Sequence, residues 1–147
     1  MTNLDALQEF ENCELCEHRC RVNRLAGETG VCKMTMPVLG AAHLHMAPPP
    51  SYTVFMAGCN LKCLQCQSWT TSQYPDSGYD QRGYEEPNTL AEASLKGLDS
   101  FAARLIGADR ISFSGGEPTI HLPYIEQVVE EARGMASAAK VNVDTNG

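Results

Sequence analysis

No apolar run of membrane-spanning length occurs in the 147 residues, so a helix crossing a bilayer is not expected. The opening stretch MTNLDALQEFENCELC also lacks the basic-then-apolar order of a secretory signal. Both absences point to a cytoplasmic protein. Basic residues are scarce as well, 11 against 18 acidic ones for a net charge of -7, which argues against the clustered Lys and Arg that grip a phosphate backbone. Neither nucleic acid nor membrane is an expected partner. At 43% apolar and 20% charged, the composition excludes disorder and fibrous repeats, and the length suits one domain with a modest core.

Cysteine is plentiful. Seven is an odd number, and in a reducing cytosol they stay thiols, so metal or cluster ligation outranks a disulfide framework. Cys13, Cys16, Cys20 and Cys32 form one group, and Cys59, Cys63 and Cys66 form the other. The first group falls in a Cys-rich segment, 1–46, that reads as a small ligand-held module. APPP at 47–50 interrupts the backbone pattern, and a second unit, 47–147, follows.

Within the second unit YTVFMA (52–57) is a continuous β-branched and aromatic run, which predicts a strand buried on both faces. Residues 67–87 have neither period and predict a long loop. Thr89 and Glu92 read as a capping box opening a helix with Ala91, Leu95, Leu98, Ala102 and Leu105 as its stripe, closed by Gly107. RISFS (110–114) predicts a second strand. A helix from near Pro123 should bury Ile125, Val128, Val129, Ala132 and Ala136, and VNVD (141–144) is a third strand. Alternation of this kind implies an α/β fold with right-handed crossovers and a parallel sheet.

Ligands of such sheets gather outside the carboxyl ends of the strands. GCNLKCLQC follows the first strand, GGEP the second and TNG the third, so all three loops project to one rim. Three clustered thiolates suit an iron–sulfur cluster, and a cubane held by three cysteines leaves one iron open for a substrate or cofactor. The plainer alternative is zinc or a structural cluster with a fourth ligand such as His43, His45 or His121. SGGEPT taken alone reads as a surface turn.

C-x3-C-x2-C after a first strand with GGEP after the second resembles the radical S-adenosylmethionine (SAM) superfamily over about residues 38–147. GCNLKCLQCQSW, SGGEPT and DTNG are most similar to its branch related to pyruvate formate-lyase activating enzyme. The resemblance implies the first part of a partial (β/α)6 barrel. In it Cys59, Cys63 and Cys66 would ligate a 4Fe-4S cluster, and the amino and carboxylate groups of SAM would chelate the fourth iron. Reductive cleavage of SAM would give a 5'-deoxyadenosyl radical that abstracts hydrogen from substrate. Gly115, Gly116, Glu117 and Pro118 would line the methionine end of SAM, and Asp144 would lie near its carboxylate. A flavodoxin or ferredoxin as electron donor, and a protein glycine as substrate, are further implications.

Two positions depart from the family pattern. Gln65 stands where an aromatic usually precedes the third cysteine, leaving Trp69 or a loop tyrosine to pack on adenine, and Ser68 replaces the usual asparagine. The four N-terminal cysteines would bind zinc or a second cluster. HLH at 43–45 puts two histidines on one strand face, and no role is assigned to them. About six strand-helix units make such a partial barrel, while the chain reaches Gly147 just after the third strand. The expectation is a fragment, a truncated frame or half of a split enzyme. The rival functions are a non-catalytic iron–sulfur electron carrier, a zinc-binding module and an inactive remnant. Neither cysteine group has the spacing of bacterial ferredoxins, which counts against the carrier.

Overall fold

A computed structural model describes residues 7–147. Strands β1 (Leu39–His45), β2 (Ser51–Met56), β3 (Arg110–Gly115) and β4 (Lys140–Val143) form one sheet in the order β1-β2-β3-β4. β2, β3 and β4 run parallel, and β1 pairs antiparallel with β2. Of β1 the sequence reading foresaw only HLH on a strand face. Its sequence, LGAAHLH, is poor in β-branched residues, and the strand exists because β2 offers it a ladder. The sheet therefore begins before the proline run at 48–50, inside the segment that sequence reading assigned to a separate module.

β2 is not apolar on both faces. Val54 and Met56 join Ile111 and Phe113 in the core beneath the helices, while Ser51, Thr53 and Phe55 turn to the other face beside Ser112 and Ser114. That second face is polar, with the Ser51 and Thr53 hydroxyls 2.8 Å apart. A parallel strand of this kind has one greasy and one wet side, which its alternation records.

The stretch from 87 to 106 is two helices. α2 (Pro87–Leu98) opens on Glu86 with Pro87 in its first turn, so the Thr89–Glu92 capping box does not form. α2 buries Pro87, Leu90, Ala91 and Ser94. The chain then breaks at Asp99–Ser100 and restarts as α3 (Phe101–Ile106), because the Ser100 hydroxyl accepts the Ala103 N–H at 3.1 Å. Leu105, expected on the buried stripe, is exposed. Gly107 ends α3 in the left-handed region, as its position predicts.

The helix predicted near Pro123 spans Leu122–Met135 and buries Ile125, Val128 and Ala132 against the sheet and α2. It is labelled α4, since the expected loop at 67–87 contains one short helix, α1 (Trp69–Ser72). Ala136 lies beyond its end. Among the described residues no helix is long and apolar enough to cross a membrane.

Candidate functional site

All three parallel strands end at one rim, and each hands the chain to a loop that the next one holds. After β2, Gly58 donates to the Thr71 carbonyl at 3.0 Å, which folds the 58–66 loop back over α1. After β3 the Gly116 N–H reaches the Met56 carbonyl at 2.8 Å and the Glu117 N–H the Gly58 carbonyl at 2.9 Å. Parallel pairing thus continues past the strands into the loops. A Cβ on Gly116 would collide with the Gly58 carbonyl, so this glycine is required by the neighbouring backbone. After β4 the Asp144 N–H reaches the Phe113 carbonyl at 2.9 Å.

Glu117 joins the second and third loops. Its side chain is 1% exposed. Oε1 accepts from the Thr119 N–H (3.1 Å) and from the Thr119 and Thr145 hydroxyls (2.7 Å each), and Oε2 accepts from the Asn146 N–H at 2.7 Å. Burial pushes its carboxyl up, but these donors outweigh burial and hold it below the usual carboxylate range. The carboxylate thus faces the TNG turn and Thr119. Pro118 is buried at the start of the one-turn 3-10 helix Pro118–His121.

The rim encloses a cavity of about 310 Å3 lined by Cys59, Cys63 and Cys66 together with Gly115, Gly116, Glu117, Asp144 and Asn146. Cys59 is buried, Cys66 half-buried and Cys63 exposed. Sulfur atoms here have donors of their own: Leu61 N–H to Cys59 at 3.4 Å, Asn146 Nδ2 to Cys59 at 3.7 Å, and a 3.2 Å contact between Cys66 and the Ser72 hydroxyl. Burial, with Glu117 adding to it, pushes the Cys59 thiol up, so its thiolate calls for a compensating cation. Among the described residues no three Cys, His, Asp or Glu side chains yet converge closely enough to grip a single metal ion. Three thiols lining an open cavity, with N–H donors to sulfur, are a donor set that suits an iron–sulfur cluster.

Sequence reading brought the three cysteines, GGEP and Asp144 to one rim; Cys59, Cys63, Cys66, Gly115, Gly116, Glu117 and Asp144 line this cavity, whereas Pro118 does not and is buried in the 3-10 turn. Ser72, Thr145 and Asn146 were missed as site residues, although the last two sit in the TNG turn already singled out. His18 was missed without any signal: its Nε2 lies 3.0 Å from the Asn60 carbonyl, across 42 residues. Trp69 does not line the cavity and packs edge-on to Tyr79 at 5.3 Å.

The fourth-ligand candidates His43, His45 and His121 do not line the rim cavity. His43 and His45 pair with Thr53 and Ser51 in the amino-terminal half of β2, and both rings contact Phe55. His121 is fully buried, with Nε2 2.9 Å from the Ala57 carbonyl and Nδ1 3.1 Å from Arg24 Nη2. Both its ring nitrogens are taken. The N-terminal cysteines lie elsewhere: Cys13, Cys16, Cys20 and Cys32 line a second, closed cavity with Arg24, Gly30 and Ile120.

Comparison with known proteins agrees with this geometry. Over 123 residues the chain is 37% identical to uncharacterized protein MJ0674 of Methanocaldococcus jannaschii, covering 77% of this chain and 33% of that protein. It is 26% identical over 136 residues to uncharacterized protein MJ0808 of the same organism, covering 86% of this chain and 37% of that protein. The chain thus spans about a third of the length of these curated relatives. No solved structure matches it. Residues 53–147 match the model of the radical SAM superfamily, from β2 through the TNG turn, and the chain belongs to that superfamily.

Proposed function

We propose that Cys59, Cys63 and Cys66 hold a 4Fe-4S cluster whose fourth iron is open to SAM, and that the protein is a radical SAM enzyme. The carrying observation is one rim cavity lined by three thiols together with Gly115, Gly116 and Asp144. When bound and reduced, such a cluster supplies the electron that cleaves the sulfonium of SAM. What the chain itself contributes is position. Gly115 and Gly116 add no side chain to the cavity lining, and the Glu117 carboxylate, fixed by Thr119, Thr145 and Asn146, locks their loop to the Asp144 turn. Asp144 is exposed at the cavity edge, with Oδ1 2.9 Å from Asn142 Nδ2, and offers an anionic group to a cation or amine there.

The described sheet is, in this reading, the first part of a partial (β/α)6 barrel, and its polar face of Ser51, Thr53, Ser112 and Ser114 is the lumen side. Activation of a glycyl-radical enzyme, with a flavodoxin or ferredoxin as electron donor, is the finer reading. It is supported by the likeness of GCNLKCLQCQSW, SGGEPT and DTNG to the activating-enzyme branch. All seven cysteines are free thiols.

Anaerobic reconstitution with iron and sulfide, followed by dithionite and SAM, tests the enzyme reading. 5'-Deoxyadenosine should form, and Cys63→Ala should form none. If the reconstituted protein binds SAM no better than its Cys63→Ala variant, the reading fails.

A further inference from the structure

Arg24 is a buried cation without an anion. Its side chain is 1% exposed, and among the described residues no carboxylate pairs with it. The guanidinium instead donates to the carbonyls of Thr35 (2.7 Å) and Ile120 (2.6 Å) and to His121 Nδ1, and it lies 4.3 Å from the Phe10 ring. These neutral partners satisfy its hydrogen bonds and leave its charge uncompensated. Groups beside it that can become anions are thiols: Nη1 is 3.9 Å from Cys13 Sγ, in the wall that also carries Cys16, Cys20 and Cys32.

The backbone around those cysteines is held in costly shapes. Every non-glycine residue with positive φ among the described residues flanks them: Arg19 (42°) and Arg21 (55°) on either side of Cys20, and Lys33 (57°) after Cys32. Such residues persist where the surroundings over-determine them, as ligand clamps do. Hydrogen bonds pin the same turns, with Cys13 N–H to the Val22 carbonyl at 3.1 Å and Arg21 N–H to the Cys13 carbonyl at 2.9 Å. The Val31 N–H points at Cys20 Sγ from 3.5 Å, and a Cβ on Gly30 would come within 2.6 Å of that sulfur.

We propose that one zinc ion draws Cys13, Cys16, Cys20 and Cys32, which line one cavity but do not converge on an ion in this structure, into a tetrathiolate, and that Arg24 is its buried counter-charge. Four thiolates around a divalent ion carry two net negative charges, which gives the Arg24 guanidinium the anion it lacks. Zinc is favoured over a second cluster by size. The cavity between these thiols holds about 10 Å3, room for an ion, against about 310 Å3 beside Cys59, Cys63 and Cys66. Spacing agrees, because Cys13-x2-Cys16 and Cys16-x3-Cys20 fall in the range that structural zinc sites use. Through Arg24 the site reaches His121 and Ile120, and through His121 the Ala57 carbonyl two residues before Cys59. The zinc module thereby braces the strand end from which the rim cysteines leave.

Elemental analysis of protein purified anaerobically, with zinc-edge X-ray absorption, tests this independently of SAM chemistry. One zinc per chain with four sulfur neighbours at about 2.3 Å is expected. Cys63→Ala should lose its iron and keep its zinc, and Cys20→Ser should lose at least tenfold in zinc. Arg24→Gln should weaken zinc retention against a chelator by about tenfold or more. Iron and sulfide remaining in Cys63→Ala would overturn the assignment, as would wild-type protein that neither contains zinc nor takes up added Zn(II) under reducing conditions. Should Cys20→Ser not fold, zinc content and sulfur coordination of the wild type still decide. Unchanged zinc retention in Arg24→Gln would refute the counter-charge.

Discussion

Arg24 Nη2 lies 3.1 Å from Nδ1 of His121, which fixes the tautomer of a fully buried imidazole. A guanidinium only donates and a carbonyl only accepts, so Nδ1 is the acceptor and Nε2–H donates to the Ala57 carbonyl. Burial first, then the Arg24 charge, lowers the His121 pKa to about 3.

Acid should therefore destabilise the protein through His121. The folded state holds the ring neutral while the unfolded chain protonates near its ordinary value, so stability is intact above about pH 6.5 and drains as pH falls toward the folded value. The slope from this one group is about 1.4 kcal/mol per pH unit. His121→Gln should be less stable at neutral pH yet lose less between about pH 6 and pH 4. Urea unfolding across that range measures it, and parallel profiles for the two proteins would contradict a neutral buried ring.

Glu117→Gln should loosen the rim. Its amide would set a donor against the Thr145 and Thr119 hydroxyls or the Asn146 N–H, all of which now donate to the carboxylate. A loss of about 2 kcal/mol is expected from charge-assisted hydrogen bonds in a buried setting. Faster amide exchange at Asn146 in the variant would report the separation of the two loops, and unchanged exchange would refute the clamp.

Gly116→Ala should cost about 2–3 kcal/mol, since overpacked side chains force the backbone apart. Here the added methyl meets the Gly58 carbonyl, so the strain falls on the residue before Cys59. Thermal denaturation reads the stability, and iron content after reconstitution reads the site. Wild-type values for both would show that the loops have room to separate.

Ser100→Ala should lower stability by about 1 kcal/mol, the usual worth of a serine N-cap, and Ser100→Asp should restore it. Among the described residues the Ser100 hydroxyl is the cap of the Ala103 N–H at the α2–α3 break. Equal melting temperatures for Ser100→Ala and the wild type would mean that packing alone sets the break.

Much of the site was legible because it is written in local pattern and chain direction. Alternating strands and helices fix a parallel sheet, a parallel sheet sends every strand end to one side, and the motifs stand just after strand ends in the sequence. That is enough to bring Cys59, Cys63, Cys66, Gly116 and Asp144 to one cavity. Where a helix starts or breaks was less legible: the Ser100 cap competes with a stripe whose outer members, such as Leu105, never find a partner.

The amino-acid order by itself determined which residues meet at the rim, since side-chain period and handed crossovers need no knowledge of distant partners. Only the tertiary structure decided what each then does. Glu117 meets a turn 28 residues away, Arg24 meets His121 across 97, and LGAAHLH becomes a strand by lying against β2. Contacts of this reach depend on register and on loops closing over one another, so no local pattern encodes them. Buried polar groups make them obligatory once the fold has removed water.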